Sequence, residues 1–205
     1  MNEHTSKKFD SELEGIRTRV LQMGGMVELQ IVKAMEGLSN GDLLLIDQVI
    51  ENDNRVNLLE IELDEACNQV IAKRQPTAVD LRMVSTVQKT ITDLERIGDE
   101  AKKIAKTAKL QHSTQSSFTP PIRLSHIADA VVDMLRTALD SYARLDTVSA
   151  AQVVRQDKEV DAEFKGIMRQ LITYMMEDPR TISQALELMF VAQSVERIGD
   201  HAKNI

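Results

Sequence analysis

An internal repeat constrains the fold of this chain more than any other feature of its sequence. The segment LERIGDEAKKI at 94–104 returns as VERIGDHAKNI at 195–205, with eight of eleven positions identical. At an offset of 104 residues, a row of core-type positions in 20–38 also falls on a similar row in 124–142. Both rows step by three or four residues, which is the period of one helix face. A repeated core pattern predicts a repeated structural unit, so the chain should contain two copies of one fold.

Each copy is predicted to be a bundle of three long helices. Aromatic residues make up only 3% of the chain, and there are 8 Gly and 4 Pro, so strands and turns have few candidates. Asp42 and Asp146 are aligned candidates for helix N-caps, and Thr181 is a third. The predicted helices span 10–38, 42–73 and 78–110 in the first copy, and 121–143, 147–177 and 180–205 in the second.

The predicted fold class is therefore all-α, with two tandem pseudo-symmetric three-helix bundles in residues 1–114 and 115–205. Between them, QHSTQSSFTPP at 111–121 is typical of a linker because it is rich in small residues and ends in two prolines. Ile205 aligns with Ile104, after which the first copy continues its helix. We therefore expect the last helix of the second bundle to be truncated at its C-terminus.

Charge and composition narrow the classes of function. The net charge is −7, and an acidic chain lacks the basic excess that nucleic-acid binding uses. The N-terminus has no apolar signal region, and no segment is apolar enough to span a bilayer. The single cysteine, Cys67, lies among apolar residues and is interpreted as a core residue, which fits a reducing cytoplasm.

The third helices carry matching apolar stripes with a glycine in the middle of each. A glycine inside a helix costs about 1 kcal/mol relative to alanine. Gly98 and Gly199 both fall on the predicted buried stripe, so we interpret them as allowing a close approach between helices. The stripes run from Leu81 to Ile104 and from Ile182 to Ile205.

Acidic pairs four residues apart are the strongest candidates for a functional site. The motif ERIGD puts two carboxylates on one face of each third helix, and the second helices carry related pairs at aligned positions. Clusters of oxygen ligands suit cations such as Mg²⁺, Mn²⁺, Ca²⁺ or iron. The candidate metal ligands are Asp53, Glu95 and Asp99 in the first copy, and Asp157, Asp161, Glu196 and Asp200 in the second.

A solvated acidic face is the alternative interpretation of the same residues. Asp99 has Lys103 four residues away as a ready ion-pair partner. Glu60 and Asp64 extend the acidic row, but their counterparts in the second copy are not acidic, so we expect them to be surface charges. His201 could add a nitrogen ligand, although an exposed helical histidine is the simpler expectation. The sequence leaves the metal site and the solvated face open.

No catalytic constellation is visible in the chain. A ferritin-like di-iron oxidase needs Glu-x-x-His pairs, and no histidine here has a glutamate three residues before it. The sequence also contains no Walker loop, no HExxH motif and no Ser–His arrangement typical of nucleophilic catalysis. The protein is therefore predicted not to be an enzyme.

Several segments of the chain closely resemble the PhoU family, the accessory regulators of bacterial phosphate-specific transport. The resemblance implies a fold of two three-helix bundles, and it implies that the acidic pairs bind Mn, Mg, Fe or Zn ions, as in some members of the family. Asn57 departs from the pattern because it replaces the second carboxylate of its pair, which implies a site in the first copy that is weaker or differently occupied. The matching segments are MGGMVE at 23–28, DEACNQVIAKRQPTAVDLR at 64–82, DLERIGDEA at 93–101, MRQLITYMMEDPRT at 168–181 and SVERIGDHAKNI at 194–205.

The same resemblance implies a regulatory function. It implies a non-enzymatic negative regulator of phosphate uptake and of the phosphate-starvation response, relaying the state of the Pst transporter, through its ATPase subunit, to the sensor histidine kinase PhoR. It further implies a cytoplasmic homodimer or higher oligomer that reaches the membrane only through these partners and binds no nucleic acid. A metal-dependent enzyme or metal store using the paired carboxylates is the alternative.

Overall fold

The computed structural model describes residues 3–113 and 122–205, and within them all regular structure is helical. A short 3₁₀ turn at Pro179–Thr181 precedes the last helix. The all-α prediction is confirmed. The helices are α1 (Glu3–Asn40), α2 (Leu43–Arg74), α3 (Ala78–Ser113), α4 (Ser125–Arg144), α5 (Thr147–Glu177) and α6 (Ile182–Asn204).

The aligned aspartates begin the second helix of each copy as predicted. The Asp42 carboxylate accepts hydrogen bonds from the backbone N–H groups of Leu44 and Leu45, at 2.9 and 3.2 Å. The Asp146 carboxylate accepts a bond of 2.9 Å from the N–H of Val148 and one of 3.3 Å from that of Ser149. Each cap satisfies backbone donors that a helix leaves unpaired in its first turn.

The predicted cap at Thr181 is wrong. Its hydroxyl donates instead to the backbone oxygens of Asp178, at 2.8 Å, and Tyr174, at 3.3 Å. The capping side chain is Asp178, which accepts from the N–H of Arg180 at 3.0 Å. The physical reason is the proline at 179, which is suited to the first position of a helical turn, so the capping residue is the one immediately before it, Asp178.

The predicted linker also begins too early, because residues 111–113 belong to α3. His112 Nε2 lies 2.9 Å from the backbone oxygen of Leu38, so this hydrogen bond attaches the end of α3 to the end of α1. The fourth helix is predicted to span 121–143, and its predicted start is wrong: residues 122–124 are not helical, and the helix begins at Ser125. The rest of the predicted linker and the predicted boundary between the two bundles lie outside the described residues.

Helices α1, α2 and α3 pack against one another, and α4, α5 and α6 do the same. The apolar stripes form the core as predicted, apart from Leu81 and Ile182, which are each 41% exposed because they lie in the first turn of their helices. Cys67 is fully buried, as predicted. Its burial raises the pKa of the thiol to about 11, and the charge of Asp64 adds to the effect.

The two bundles meet through two antiparallel helix contacts, α1 with α4 and α3 with α6. Arg17 of α1 donates to the backbone oxygen of Ala143 at 2.8 Å, near the end of α4. Farther along α1, Glu28 accepts from Arg136 Nε at 2.8 Å, nearer the middle of α4. Within the described part of the chain, we find no helix that is long and apolar enough to cross a membrane.

Candidate functional site: two carboxylate grooves

The neighbouring helices α2 and α3 bring the acidic residues of the first copy together. We call this cluster the first groove; it comprises Asp53, Asn57 and Glu60 on α2, and Glu95, Asp99 and Lys102 on α3. Burial raises the pKa of Glu95, and the nearby charges of Asp99, Glu60 and Asp53 raise it further. The groove is therefore a region where negative charge is crowded.

Glu60 and Asp64 are not the simple surface charges that the sequence suggested. Both are half-buried. Glu60 belongs to the first groove through its effect on the pKa of Glu95. Asp64 lies farther along α2, where it accepts a hydrogen bond of 2.8 Å from Gln88 Nε2 of α3. Its role is to join the two helices.

The second groove is the equivalent cluster on α5 and α6. It comprises Asp157 and Asp161 on α5, and Glu196, Asp200 and Lys203 on α6. Burial raises the pKa of Glu196, and the charges of Asp200, Asp161 and Asp157 raise it further. The crowding of negative charge in the first groove is thus repeated in the second.

A lysine in each groove forms the closest ion pair there. Lys102 Nζ lies 2.6 Å from Asp53 Oδ2. Lys203 Nζ lies 2.7 Å from Asp157 Oδ2 and 3.2 Å from Asp200 Oδ1. The hydrogen bonds to these carboxylates raise the pKa of both lysines, so both ammonium groups are charged at neutral pH.

Sequence reasoning missed these lysines although a signal was present. In each copy the glutamate, the aspartate and the lysine are spaced at i, i+4 and i+7, which places them on one helix face. The expected partner of Asp99 was Lys103 instead, and that expectation is wrong. Lys103 Nζ pairs with Glu100 Oε1 at 2.8 Å, away from the groove.

The floors of the two grooves differ in chemistry. A Cβ atom added to Gly98 would lie 3.3 Å from Gln30 Oε1, 3.4 Å from Val56 Cγ1 and 3.7 Å from Asp53 Oδ1. The glycine there does allow a close approach of helices, around a polar floor. A Cβ atom added to Gly199 would have valine methyl groups as its nearest neighbours, at 3.5 Å, which is an ordinary contact distance. The prediction that glycine allows a close approach of helices is therefore wrong at Gly199.

Three buried oxygen atoms in the first groove and in its floor, where Gln30 of α1 lies, have no hydrogen-bond partner: Asp53 Oδ1, Asn57 Oδ1 and Gln30 Oε1. The amide nitrogen Gln30 Nε2 is unpartnered as well. Asp53 and Gln30 are themselves almost wholly buried. Unpartnered buried acceptors are costly, and they suit a water molecule, a donor or a cation. The chemistry of this donor set fits a hard cation.

All seven predicted metal ligands thus lie in the two grooves, three in the first and four in the second. As the side chains stand, no three His, Cys, Asp or Glu residues in the described part of the chain are grouped closely enough to hold a metal ion. Metal binding by the grooves therefore stays a prediction.

His201 lies between the bundles, and the expectation that it is exposed is wrong. Its Nδ1 atom is 2.8 Å from Asp93 Oδ1 of α3, and Asn204 Nδ2 donates to the same oxygen at 3.3 Å. Farther along the same crossing of α3 and α6, Arg197 and Glu100 pair at 3.5 Å. Sequence reasoning missed Asp93 because it is a single acidic residue within an otherwise apolar pattern.

Comparison with known proteins gives a match along both bundles. The family described as the PhoU domain matches residues 20–108 and 124–205. The phosphate-specific transport system accessory protein PhoU of Edwardsiella tarda is 50% identical over 205 residues, covering 100% of this chain and 84% of that protein. Its namesake in Escherichia coli (strain K12) is 49% identical, with 100% and 85% covered.

Solved structures agree with the sequence matches. The crystal structure of PhoU from Pseudomonas aeruginosa superimposes with a TM-score of 0.92 at 44% identity, covering 96% of this chain and 94% of that one. The phosphate transport system regulatory protein PhoU from Streptococcus pneumoniae, at 24% identity and a TM-score of 0.88, shows the same fold. With a family match in both bundles and relatives this similar along its whole length, the chain belongs to the PhoU family.

Proposed function

We propose that this protein is a non-enzymatic regulator of phosphate homeostasis that acts as an accessory protein of a phosphate-specific transport system. The observation that carries the proposal is the match to relatives bearing that name, at 50 and 49% identity over the whole chain. The proposal includes negative regulation: in ample phosphate, the protein couples the ATPase subunit of the Pst transporter to the sensor kinase PhoR and represses phosphate uptake and starvation genes.

The helix surfaces are suited to binding partner proteins. Leu186 and Phe190 lie four residues apart on one face of α6, and both are exposed to solvent. At the equivalent positions of α3 the chain has Ser85 and Lys89, so α3 lacks this apolar pair. Exposed apolar faces of this kind are typical of protein–protein contacts. We infer a cytoplasmic protein that forms a homodimer or higher oligomer and reaches the membrane through its partners.

Deletion of the gene tests the regulatory role. We expect a deletion strain to express phosphate-scavenging genes, such as a phosphatase, in rich phosphate, because the repressing signal is lost. A plasmid copy of the wild-type gene should restore repression. Normal repression in the deletion strain would overturn the proposal.

A pull-down from membranes, with and without phosphate, tests the partners. We expect capture of the kinase and the transporter ATPase to weaken in the double variant Leu186→Ser, Phe190→Lys, which copies the α3 residues onto α6. Leu58→Ser on α2 is the matched control, because Leu58 and Phe190 are exposed to the same degree, 60 and 61%. Equal loss in the control would reject the α6 face as the docking surface.

We further propose that the two grooves bind divalent or iron-type cations, with Mn, Mg, Fe and Zn as the candidates. A bound cation would supply the positive charge that the crowded carboxylates lack. The raised pKa values of Glu95 and Glu196 are consistent with this proposal, because burial disfavours their charged form and the neighbouring carboxylates add to the effect. Glu95→Ala together with Glu196→Ala should lower metal content in a replete titration without unfolding the bundles.

The alternative is a metal-dependent enzyme or a metal store that uses the same paired-carboxylate grooves. Bound metal in a protein whose deletion leaves phosphate-responsive genes repressed would favour that alternative. Absence of metal after a replete titration would remove both the alternative and the metal-site proposal.

A further inference from the structure

Two lysines at equivalent positions pair with carboxylates of the two grooves. Lys102 and Lys203 are 101 residues apart, the offset of the ERIGD repeat. Each ammonium group lies within 2.7 Å of an aspartate on the neighbouring helix, Asp53 or Asp157. The same ion pair is thus present in both grooves.

The lysine of the first groove leaves part of its carboxylate unsatisfied. Lys102 contacts Asp53 Oδ2, while Asp53 Oδ1 is buried and has no partner. Asn57 Oδ1 and Gln30 Oε1 are also buried acceptors without partners. One ammonium group therefore does not satisfy the oxygen atoms gathered here, and a cation that contacted them would satisfy more.

From this geometry we propose that Lys102 and Lys203 are displaceable counter-ions, each of which neutralises its groove in the metal-free protein and swings to solvent when a divalent cation enters. This inference rests on the cation binding proposed above. Both side chains can leave without repacking the core, because they are 24 and 33% exposed and have flexible stems. The two lysines therefore compete with the metal for the same carboxylates.

The two grooves should then differ in how readily they fill. Lys102 pairs with a carboxylate that is fully buried, so removing its ammonium group leaves a charge that water cannot reach. Lys203 is itself more exposed and is shared by Asp157 and Asp200, of which Asp200 is half-exposed. We expect the second groove to bind a cation first.

Titration of the metal-free chain with Mn²⁺ tests this competition. Lys102→Gln and Lys203→Gln should each tighten one Mn²⁺ site by about tenfold or more, because one competing positive charge is removed from a partly buried site. Lys109→Gln is the matched control: Lys109 pairs with Asp47 at 2.6 Å on the surface, outside both grooves, and its replacement should leave Mn²⁺ affinity unchanged. Calorimetry gives the affinities, and thermal melting with and without Mn²⁺ gives an independent readout.

A second substitution covers the case in which Lys102→Gln does not fold. Lys102→Arg keeps the charge and offers a planar fork that pairs more firmly with a carboxylate, so it should weaken Mn²⁺ binding in the first groove. Unchanged affinity in Lys102→Arg would overturn the counter-ion role of Lys102.

The outcomes separate this inference from the proposal of metal binding. If the wild-type protein binds Mn²⁺ and both glutamine variants bind it equally, the counter-ion role is overturned while metal binding survives. If only the glutamine variants bind, the counter-ion role is supported and metal binding by the native protein is overturned. If none of the proteins binds Mn²⁺, both proposals are overturned.

Discussion

The first and second grooves have equivalent residues at their rims and different residues in their floors. Each rim has the glutamate and aspartate of ERIGD and a lysine that reaches across to the neighbouring helix. In the floor, Gln30 of the first bundle is replaced by Met134 of the second, and Asn57 is replaced by Asp161. The repeat thus keeps the charged groups of the groove, including the buried Asp53 and Asp157, while the residues at the positions of Gln30 and Asn57 differ between the bundles. The rim is the part suited to a shared role, and the floor is the part that can make the two sites unequal.

The largest expected effect comes from exchanging the residue that distinguishes the two carboxylate sets. Asn57→Asp adds a charge beside Asp53 and Glu95, so the metal-free protein should lose about 1–2 kcal/mol of stability, equivalent to one or two pKa units of repulsion. Asp161→Asn should have the opposite effect in the second groove. Urea unfolding in the presence of a chelator measures both changes.

Mn²⁺ titration of the same two variants sharpens the contrast. Asn57→Asp should tighten binding in the first groove, and Asp161→Asn should weaken binding in the second. If both substitutions change stability or affinity in the same direction, then the acidic residues of the two grooves do not act as equivalent sets.

The glycines under the two grooves give a smaller expected difference. Alanine gains about 1 kcal/mol over glycine in a helix. Gly199→Ala should raise the free energy of unfolding by this amount, because the added Cβ makes only ordinary contacts. In Gly98→Ala the tighter contacts with Gln30 and Val56 should cost about 1 kcal/mol and so cancel the gain. Gly25→Ala is the control, because a Cβ there meets no atom within 4 Å and reports helix propensity alone.

Denaturant midpoints at constant m-value give the comparison between the two glycines. An equal gain at both positions would show that the polar floor of the first bundle yields as easily as the apolar floor of the second.

The smallest expected effect is shared by both grooves. Because the pKa values of Glu95 and Glu196 are raised in the folded state, the folded protein binds more protons than the unfolded chain just above the ordinary glutamate pKa of 4.5. Stability contributed by these groups therefore falls as pH rises through that window. Glu95→Gln and Glu196→Gln should each add about 0.2–0.5 kcal/mol at pH 7, the size of a like-charge helix pair.

As the pH falls below the ordinary glutamate pKa of 4.5, both side chains become protonated in either state, and the gain should shrink toward zero. Urea unfolding between pH 3.5 and 7, in chelator, follows this dependence. A gain confined to one bundle, or one that grows toward acid pH, would contradict the equivalence of the two rims.

The sequence was sufficient to predict the features that depend on short-range pattern. Asp42 and Asp146 act as caps because a capping bond joins residues two or three positions apart. The core stripes follow from the 3.6-residue period alone. Errors occurred where a neighbouring residue changed the local geometry, as the proline at 179 did for the cap expected at Thr181.

Features that depend on how helices cross could not be read from periodicity. Asp93 and His201 are 108 residues apart and meet because α3 and α6 run antiparallel between the bundles. The contacts of Lys102 and Lys203 with aspartates likewise require the neighbouring helix, so single-helix spacing favoured the wrong lysine. The carboxylate set itself was predictable because the duplication displays it twice.

The crossing of α3 and α6 has a consequence for how a partner meets the molecule. Two identical three-helix units joined by a twofold axis would present the same residue pair at both ends of such a crossing. Here one end has Asp93 with His201, while the equivalent positions at the other end hold Ser194 and Glu100. Because the sequences of the two copies differ at these positions, the two ends of the crossing are distinguishable, and a partner bound across it would meet different residues in its two orientations.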